Sequence, residues 1–187
     1  MPITILPAID KITEKYICRQ IQQFYKANAI LSTNQFGFQP KKSTSLLLSK
    51  FTDEVNEYLN DKKHILLVFI DYSKAFDTLR HQKLIEKLEN TGVRGPLLQW
   101  SKNYLENRMY MVKVGNNYND RIQVNEGTAQ GSVLGPLHYL AYVNDLNNLI
   151  KKCSIYQFAD DTCLIAADCD INVAQSMLQN DLTLLNK

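Results

Sequence analysis

The chain has 187 residues, 45% of them hydrophobic and 21% charged, with a formal net charge of +2. That length and mixture suit one or two compact domains with a real core and exclude a low-complexity or disordered chain. The charge is too small to argue for nucleic acid by itself, no apolar stretch approaches the roughly 18–20 residues of a membrane span, and no signal segment follows Met1.

In chain order, Ile9, Ile12, Tyr16, Ile17, Ile21 and Phe24 fall at helical spacing and predict an amphipathic helix opening after Pro7. Residues 34–42, with Gly37 and Pro40, read as a loop. Ser43 then caps a second helix whose apolar face is Leu47, Leu48, Phe51, Val55, Tyr58 and Leu59. The continuous apolar run 65–70 predicts a buried strand ending at Asp71. Leu84, Ile85 and Leu88 mark a short helix stopped near Gly92, and Pro96 starts another carrying Trp100, Tyr104 and Leu105. Residues 109–114 and 121–124 flank Gly115-Asn116-Asn117 and predict a hairpin. After the loop 126–131, Leu134, Leu137, Leu140, Ala141 and Leu149 line one further helix. A last helix starts at Asp170 and shows Ala174, Met177, Leu178, Leu182 and Leu185 on one face. This order predicts a small antiparallel sheet backed by helices, an α+β fold.

The chemistry lies in the acids. Asp160 and Asp161 stand together inside the aromatic and β-branched run 156–165, which reads as two short strands with the acids at the bend. Two carboxylates at such a tip repel each other unless a cation or hydrogen bonds compensate. Asp71 closes the other apolar run, so three carboxylates are delivered by strand ends, as a pair of hard divalent ions requires. Each acid alone is equally what a turn or helix start contains. Cys18, Cys153, Cys163 and Cys169 lack CxxC spacing, and His64, His81 and His138 stand apart, which predicts reduced thiols and no zinc site. The lysine doublets at 41–42, 62–63 and 151–152 read as solvated surface.

Phe69-Ile70-Asp71-Tyr72-Ser73-Lys74-Ala75-Phe76-Asp77 resembles the first acidic motif of reverse transcriptases. Residues 127–136 resemble the family's Pro-Gln-Gly motif, and Phe158-Ala159-Asp160-Asp161 its aromatic-x-Asp-Asp motif, in the family's order. Asn34-Gln35-Phe36-Gly37-Phe38, with Ser43-Thr44, matches the fingers segment ahead of them. The stretches 73–77 and 131–136 and Asn144-Asp145-Leu146 are most similar to the non-LTR, LINE-type retrotransposon branch.

This resemblance implies a right-hand polymerase palm with partial fingers: residues 1–64 as fingers, residues 65–187 as an incomplete palm, and no thumb. It implies an RNA-directed DNA polymerase that extends a DNA primer on an RNA template with dNTPs, using two Mg²⁺ ions, with Mn²⁺ as a substitute. Asp71 and Asp160 would bridge the metals, the Tyr72 carbonyl would complete one shell, and Asp161 would support them. Phe76 would lie beneath the nucleotide sugar and exclude a 2′-hydroxyl; its other reading is a core side chain. Gln130 and Gly131 would touch the nucleotide and the templating pair. Thr128-Ala129 replaces the family's usual Val-Pro, and Gln39 replaces an arginine, leaving Lys41 or Lys42 as the substitute phosphate-binding cation. Further fingers, the primer grip and the thumb are expected in other parts of a longer polyprotein acting inside the cell, in cytoplasm and nucleus, away from membranes. Two readings stand: a polymerase core, or a catalytically silent remnant that binds nucleic acid or a protein partner.

Overall fold

The computed structural model describes Thr4 and residues 6–106, 108–129 and 131–185. In chain order they form α1 (Ala8–Ala27), α2 (Thr44–Asn60), β1 (His64–Ile70), α3 (His81–Asn90), α4 (Gly95–Leu105), β2 (Met109–Tyr110) and β3 (Lys113–Val114). Then follow β4 (Asn117–Tyr118), β5 (Ile122–Gln123), α5 (Gly135–Val143), α6 (Leu146–Leu149), β6 (Ser154–Phe158), β7 (Asp161–Asp168) and α7 (Ile171–Leu185). Two compact units result: Met1–Ile30 with Lys74–Tyr142, and Leu31–Ser73 with Val143–Lys187. Strand pairing ties β1 to β7 inside the second unit.

In the first unit, α1 buries Glu14, Ile17, Cys18, Ile21 and Tyr25. Ile9, Ile12 and Tyr16, expected on that face, are 72%, 68% and 62% exposed. At about 100° per residue they form a separate stripe on the opposite side of the helix. The Tyr25 hydroxyl meets the Thr91 hydroxyl at 2.8 Å, and Gly92, at φ +95°, ends the turn after α3 against the Phe24 ring. The predicted hairpin resolves into two short ladders. Val114 pairs with Asn117, leaving Gly115 and Asn116 as the turn. Tyr110 pairs with Ile122 and Lys113 with Tyr118, so the returning chain carries one extra residue, a bulge. The helix expected to run to Leu149 instead ends at Val143, and α6 follows as a separate turn.

In the second unit the sheet order is β1-β7-β6, antiparallel throughout. The continuous apolar run of β1 is not a doubly buried strand: β1 pairs on one side only, and Leu67 and Phe69 are 41% and 73% exposed. The central strand is β7, and its residues 162–166 are buried. Ile150, Ile155, Leu164, Ala166 and Leu178 form the core, with Leu66, Val68, Ile70 and α7 residues packed against it. Ser43 caps α2 by accepting the Leu46 N–H at 3.2 Å. On α2, Phe51 meets the Tyr156 ring edge-on at 5.7 Å, while Leu48 and Leu59 point outward. Glu54 accepts hydroxyl hydrogen bonds from Tyr58, Ser154 and Tyr156. Burial would raise its carboxyl, but those three donors hold it below the ordinary value. No helix among the described residues is long and apolar enough to cross a membrane.

Candidate active site

The acidic turn is built by strand register. Phe158 pairs with Asp161, which leaves Ala159 and Asp160 as a two-residue turn between β6 and β7. Ala159 lies at φ +56° and Asp160 is not in the left-handed region, the pattern of a type II′ turn. An alanine held there costs about 1–2 kcal/mol relative to ordinary backbone. Along the other side of β7 the last pair is Ile70 with Thr162, so Asp71, which follows β1, and Asp161, which opens β7, stand at the same end of the sheet. Adjacent strands are spaced by about 4.8 Å. One end of the sheet thus delivers Asp71, Asp160 and Asp161 together. Asp71 and Asp161 are exposed and Asp160 is half-buried. Among the described residues none of the three is ion-paired with a lysine or arginine.

A strand-like segment supports that turn. The Phe36 N–H donates to the Gln157 carbonyl at 2.7 Å, and the Gln157 N–H to the Asn34 carbonyl at 2.9 Å. Residues 34–36 thereby run parallel to β6 along its free edge. The buried Gln35 carboxamide reaches the turn itself: its Oε1 accepts from the Ala159 N–H at 3.0 Å and the Gly37 N–H at 2.8 Å. Its Nε2 donates to the Ala159 carbonyl at 3.1 Å. The Lys42 ammonium donates to the carbonyls of Ser32, Thr33 and Gln35. Lys42 is therefore committed to holding this loop, not to standing in for a phosphate-binding arginine, and Gln39 also donates to the Ser32 carbonyl. Burial, with Lys50 nearby, pulls the Lys42 ammonium below its ordinary value. Sequence reasoning placed Gln35 and Gly37 in a motif without giving either a role in the turn.

The other expected residues lie as follows. Tyr72 is half-buried directly after Asp71, and burial pushes its phenol above the ordinary value. Phe76 belongs to the first unit, half-buried, with its ring stacked on Tyr139 at 4.7 Å. Its carbonyl accepts the Thr128 N–H at 2.9 Å, and the Gly127 N–H donates to the Leu79 carbonyl at 2.7 Å. Gly127 is needed there: its φ is +82°, and a Cβ would stand 2.9 Å from the Asp77 carbonyl oxygen. Gly131 lies at φ +95° with room for a side chain, so its backbone conformation, not crowding, selects glycine. Gln130 lies outside the described residues. Just beyond, buried Glu14 accepts from the Val133 N–H at 2.8 Å and the Ser132 hydroxyl at 3.0 Å. A glutamate on an amphipathic helix gave no sequence signal of that role.

Among the described residues no group of three or more His, Cys, Asp or Glu side chains is close enough to form a ready-made metal cage. The donor set is nonetheless all oxygen, strongly negative and exposed at a sheet end. Oxygen donors of this kind suit a hard divalent ion. The set lacks the cysteine and histidine ligands of structural zinc sites.

Residues 1–186 match the family model described as "Reverse transcriptase (RNA-dependent DNA polymerase)". The chain is 34% identical over 191 residues to the probable RNA-directed DNA polymerase from transposon BS of Drosophila melanogaster, covering 98% of this chain and 21% of that protein. It is 32% identical over 167 residues to the probable RNA-directed DNA polymerase from the Drosophila melanogaster transposon X-element, covering 87% of this chain and 18% of that protein. The chain thus spans about a fifth of the length of these curated relatives. Among solved structures, telomerase from Candida tropicalis, in complex with a TWJ fragment of telomeric RNA, superposes with a TM-score of 0.63 at 14% identity. That match covers 84% of this chain and 29% of the telomerase chain. At that identity the likeness shows the fold, a polymerase palm-type architecture.

Proposed function

The chain belongs to the reverse transcriptase family, and from that premise we propose that it is the catalytic core of an RNA-directed DNA polymerase. It adds dNTPs to the 3′-hydroxyl of a DNA primer, copying an RNA template. The observation that carries this reading is the strand pairing that brings Asp71 and the Asp160-Asp161 turn to the same end of one sheet.

In the reaction the primer 3′-oxygen bonds to the α-phosphorus, the bond to the β-phosphate oxygen breaks, and pyrophosphate leaves. Such transfers are promoted mainly by alignment and by neutralising charge. Reverse transcriptases generally use divalent metal ions; Mg²⁺, with Mn²⁺ as substitute, is the choice that suits carboxylate oxygens. When bound, the ions would offset charge on the attacking and leaving oxygens. Asp71 and Asp160 supply carboxylate oxygens for them, the Tyr72 carbonyl adds a neutral ligand, and Asp161 adds negative charge beside the pair. Phe76 excludes a nucleotide 2′-hydroxyl by its bulk, and Gln130 and Gly131 meet the nucleotide and templating pair. Residues 1–64 serve as partial fingers and residues 65–187 as palm, working with RNA, primer DNA and the further segments of a polyprotein in cytoplasm and nucleus.

Primer extension on an RNA template, with wild type beside Asp160→Asn, tests the reading. In a version extended at both ends, divalent-ion-dependent incorporation by wild type and not by Asp160→Asn is expected, with the chain by itself feeble or inactive. Equal incorporation by Asp160→Asn would return the acids to a turn role. Binding of primer–template by both, with extension by neither, would favour the silent remnant.

A further inference from the structure

Gln35 makes three hydrogen bonds to backbone groups, two of them to Ala159 of the aspartate turn and one to Gly37 of its own loop. Its carboxamide oxygen takes the N–H of Ala159 and of Gly37, and its nitrogen gives a hydrogen bond to the Ala159 carbonyl. Both polar backbone groups of Ala159 are therefore claimed by one side chain that is itself 3% exposed. Ala159 is a non-glycine residue at φ +56°, a conformation that persists only where its surroundings impose it. The next residue is Asp160. Few side chains suit such a post. A carboxylate would set an acceptor against the Ala159 carbonyl, an asparagine falls one methylene short, and an apolar chain would leave three buried backbone groups unpaired.

The segment that carries Gln35 is itself fixed. Its flanking residues are zipped to Gln157, and the Lys42 ammonium gathers the carbonyls of Ser32, Thr33 and Gln35. Gly37 lets the loop press against the turn, since a Cβ there would stand 2.2 Å from the Ala159 nitrogen.

We propose that Gln35 is a positioning residue for the aspartate turn: its buried carboxamide holds Ala159 in the left-handed conformation that presents Asp160 at the sheet end where β1 delivers Asp71. The role of Asp160 toward a divalent ion rests on the polymerase reading above; the hold of Gln35 on the turn does not.

Two measurements on Gln35→Met separate these claims. The first is amide hydrogen exchange at Ala159, with Leu164 in the centre of β7 as the reporter of overall stability. Loss of the Gln35 bonds should speed Ala159 exchange about tenfold more than that of Leu164. A paired Ala159→Gly change, which removes the strain, should shrink the loss in Mn²⁺ affinity described next. Equal acceleration at both amides would make Gln35 ordinary packing and overturn the proposal. If Gln35→Met does not fold, Gln35→Glu, whose carboxylate sets an acceptor against the Ala159 carbonyl, should still accelerate Ala159 exchange selectively, by about tenfold over Leu164.

The second measurement is Mn²⁺ binding followed by electron paramagnetic resonance. Gln35→Met should weaken binding about tenfold where Asp160→Asn abolishes it. Affinity unchanged by Gln35→Met but lost in Asp160→Asn would overturn the positioning role. Wild-type binding indifferent to Asp160→Asn would instead overturn the metal reading, while the exchange comparison still decides the hold on the turn.

Discussion

Gly37 and Ala159 meet backbone to backbone: a Cβ built on residue 37 would lie 2.2 Å from the Ala159 nitrogen and 2.8 Å from its Cα. Neither neighbour is a flexible side-chain end that could swing away. Gly37→Ala must therefore move the loop or the turn, at a cost toward the upper end of the roughly 1–3 kcal/mol typical of overpacking. Gly95 offers the contrast, with φ +58° and nothing within 4 Å of where a Cβ would stand. Gly95→Ala should cost only the backbone penalty, about 1 kcal/mol. Urea unfolding of both variants gives the comparison, and equal losses would contradict the close approach.

The turn itself was legible in sequence, since aromatic and β-branched residues flank an acid pair and leave few other readings. Its support was not. Gln35 and Ala159 are separated by 124 residues, so nothing local marks their contact. The same blindness explains β1. A run such as 65–70 carries no information about how many neighbours it will have, and an edge position left Phe69 73% exposed. In α1, two apolar stripes share one helix, and only tertiary packing chose the one through Ile17, Ile21 and Tyr25. Glu14 and Asp181 were passed over because a carboxylate on a helix normally faces water, whereas both are buried here against hydrogen-bond donors.

Asp181 supplies a pH-dependent test of the second unit. Its carboxylate, fully buried, accepts the N–H groups of Lys151, Lys152 and Cys153, the last two at 2.8 Å. Burial alone would raise its carboxyl; the three backbone donors reverse that and hold it below the ordinary value. A depressed carboxyl stabilises the fold above the ordinary carboxylate range and loses that contribution as pH falls through the folded-state value. Asp181→Asn should therefore cost about 2 kcal/mol at pH 7. The gap between variant and wild type should be smaller at a second, acidic pH below the folded-state value, where the wild-type group is protonated as well. Denaturant titrations at the two pH values decide it.

His138 acts in the same sense but in a higher pH window. It is buried in the first unit, and burial, with Arg108 and His81 adding to it, pushes its imidazole down to about 3. The unfolded chain takes up a proton near pH 6.5 that the folded chain refuses. Stability should then fall as pH drops, by about 2 kcal/mol between pH 7 and pH 5 for this one group. His138→Gln should lower stability at pH 7 yet flatten that slope. A slope unchanged by the substitution would assign the acid sensitivity to other groups.

At the acidic sheet end, stability and activity should separate. Asp160→Asn keeps the shape of the side chain and removes one of three neighbouring negative charges that no lysine or arginine offsets among the described residues. Without divalent ions the variant should be as stable as wild type or more so, by up to about 1 kcal/mol, because carboxylate repulsion is relieved. Added Mg²⁺ should raise the melting temperature of wild type and not of the variant, by mass action on the folded state. A variant destabilised in the absence of metal would mean that Asp160 caps its own turn.

Phe76 carries the last prediction, which concerns sugar selection. Its ring stacks on Tyr139 at 4.7 Å and is only half-buried, so part of it faces outward from the first unit. Phe76→Val removes the outward bulk along with the stack, and the stability cost should stay within about 2 kcal/mol, less than for a fully buried phenylalanine. If that ring excludes a 2′-hydroxyl, the mechanism is a steric clash with the wrong sugar, so discrimination should fall further than deoxynucleotide incorporation does. Competition between matched ribonucleotides and deoxynucleotides on an RNA template reads this ratio directly. Loss of the clash should raise relative ribonucleotide use by about tenfold or more, the equivalent of 1–2 kcal/mol of discrimination. Tyr139→Leu is the control, because it removes the stack and keeps the ring at 76. A ratio moved equally by both variants would make the effect one of packing, and a ratio moved by neither would return Phe76 to the core.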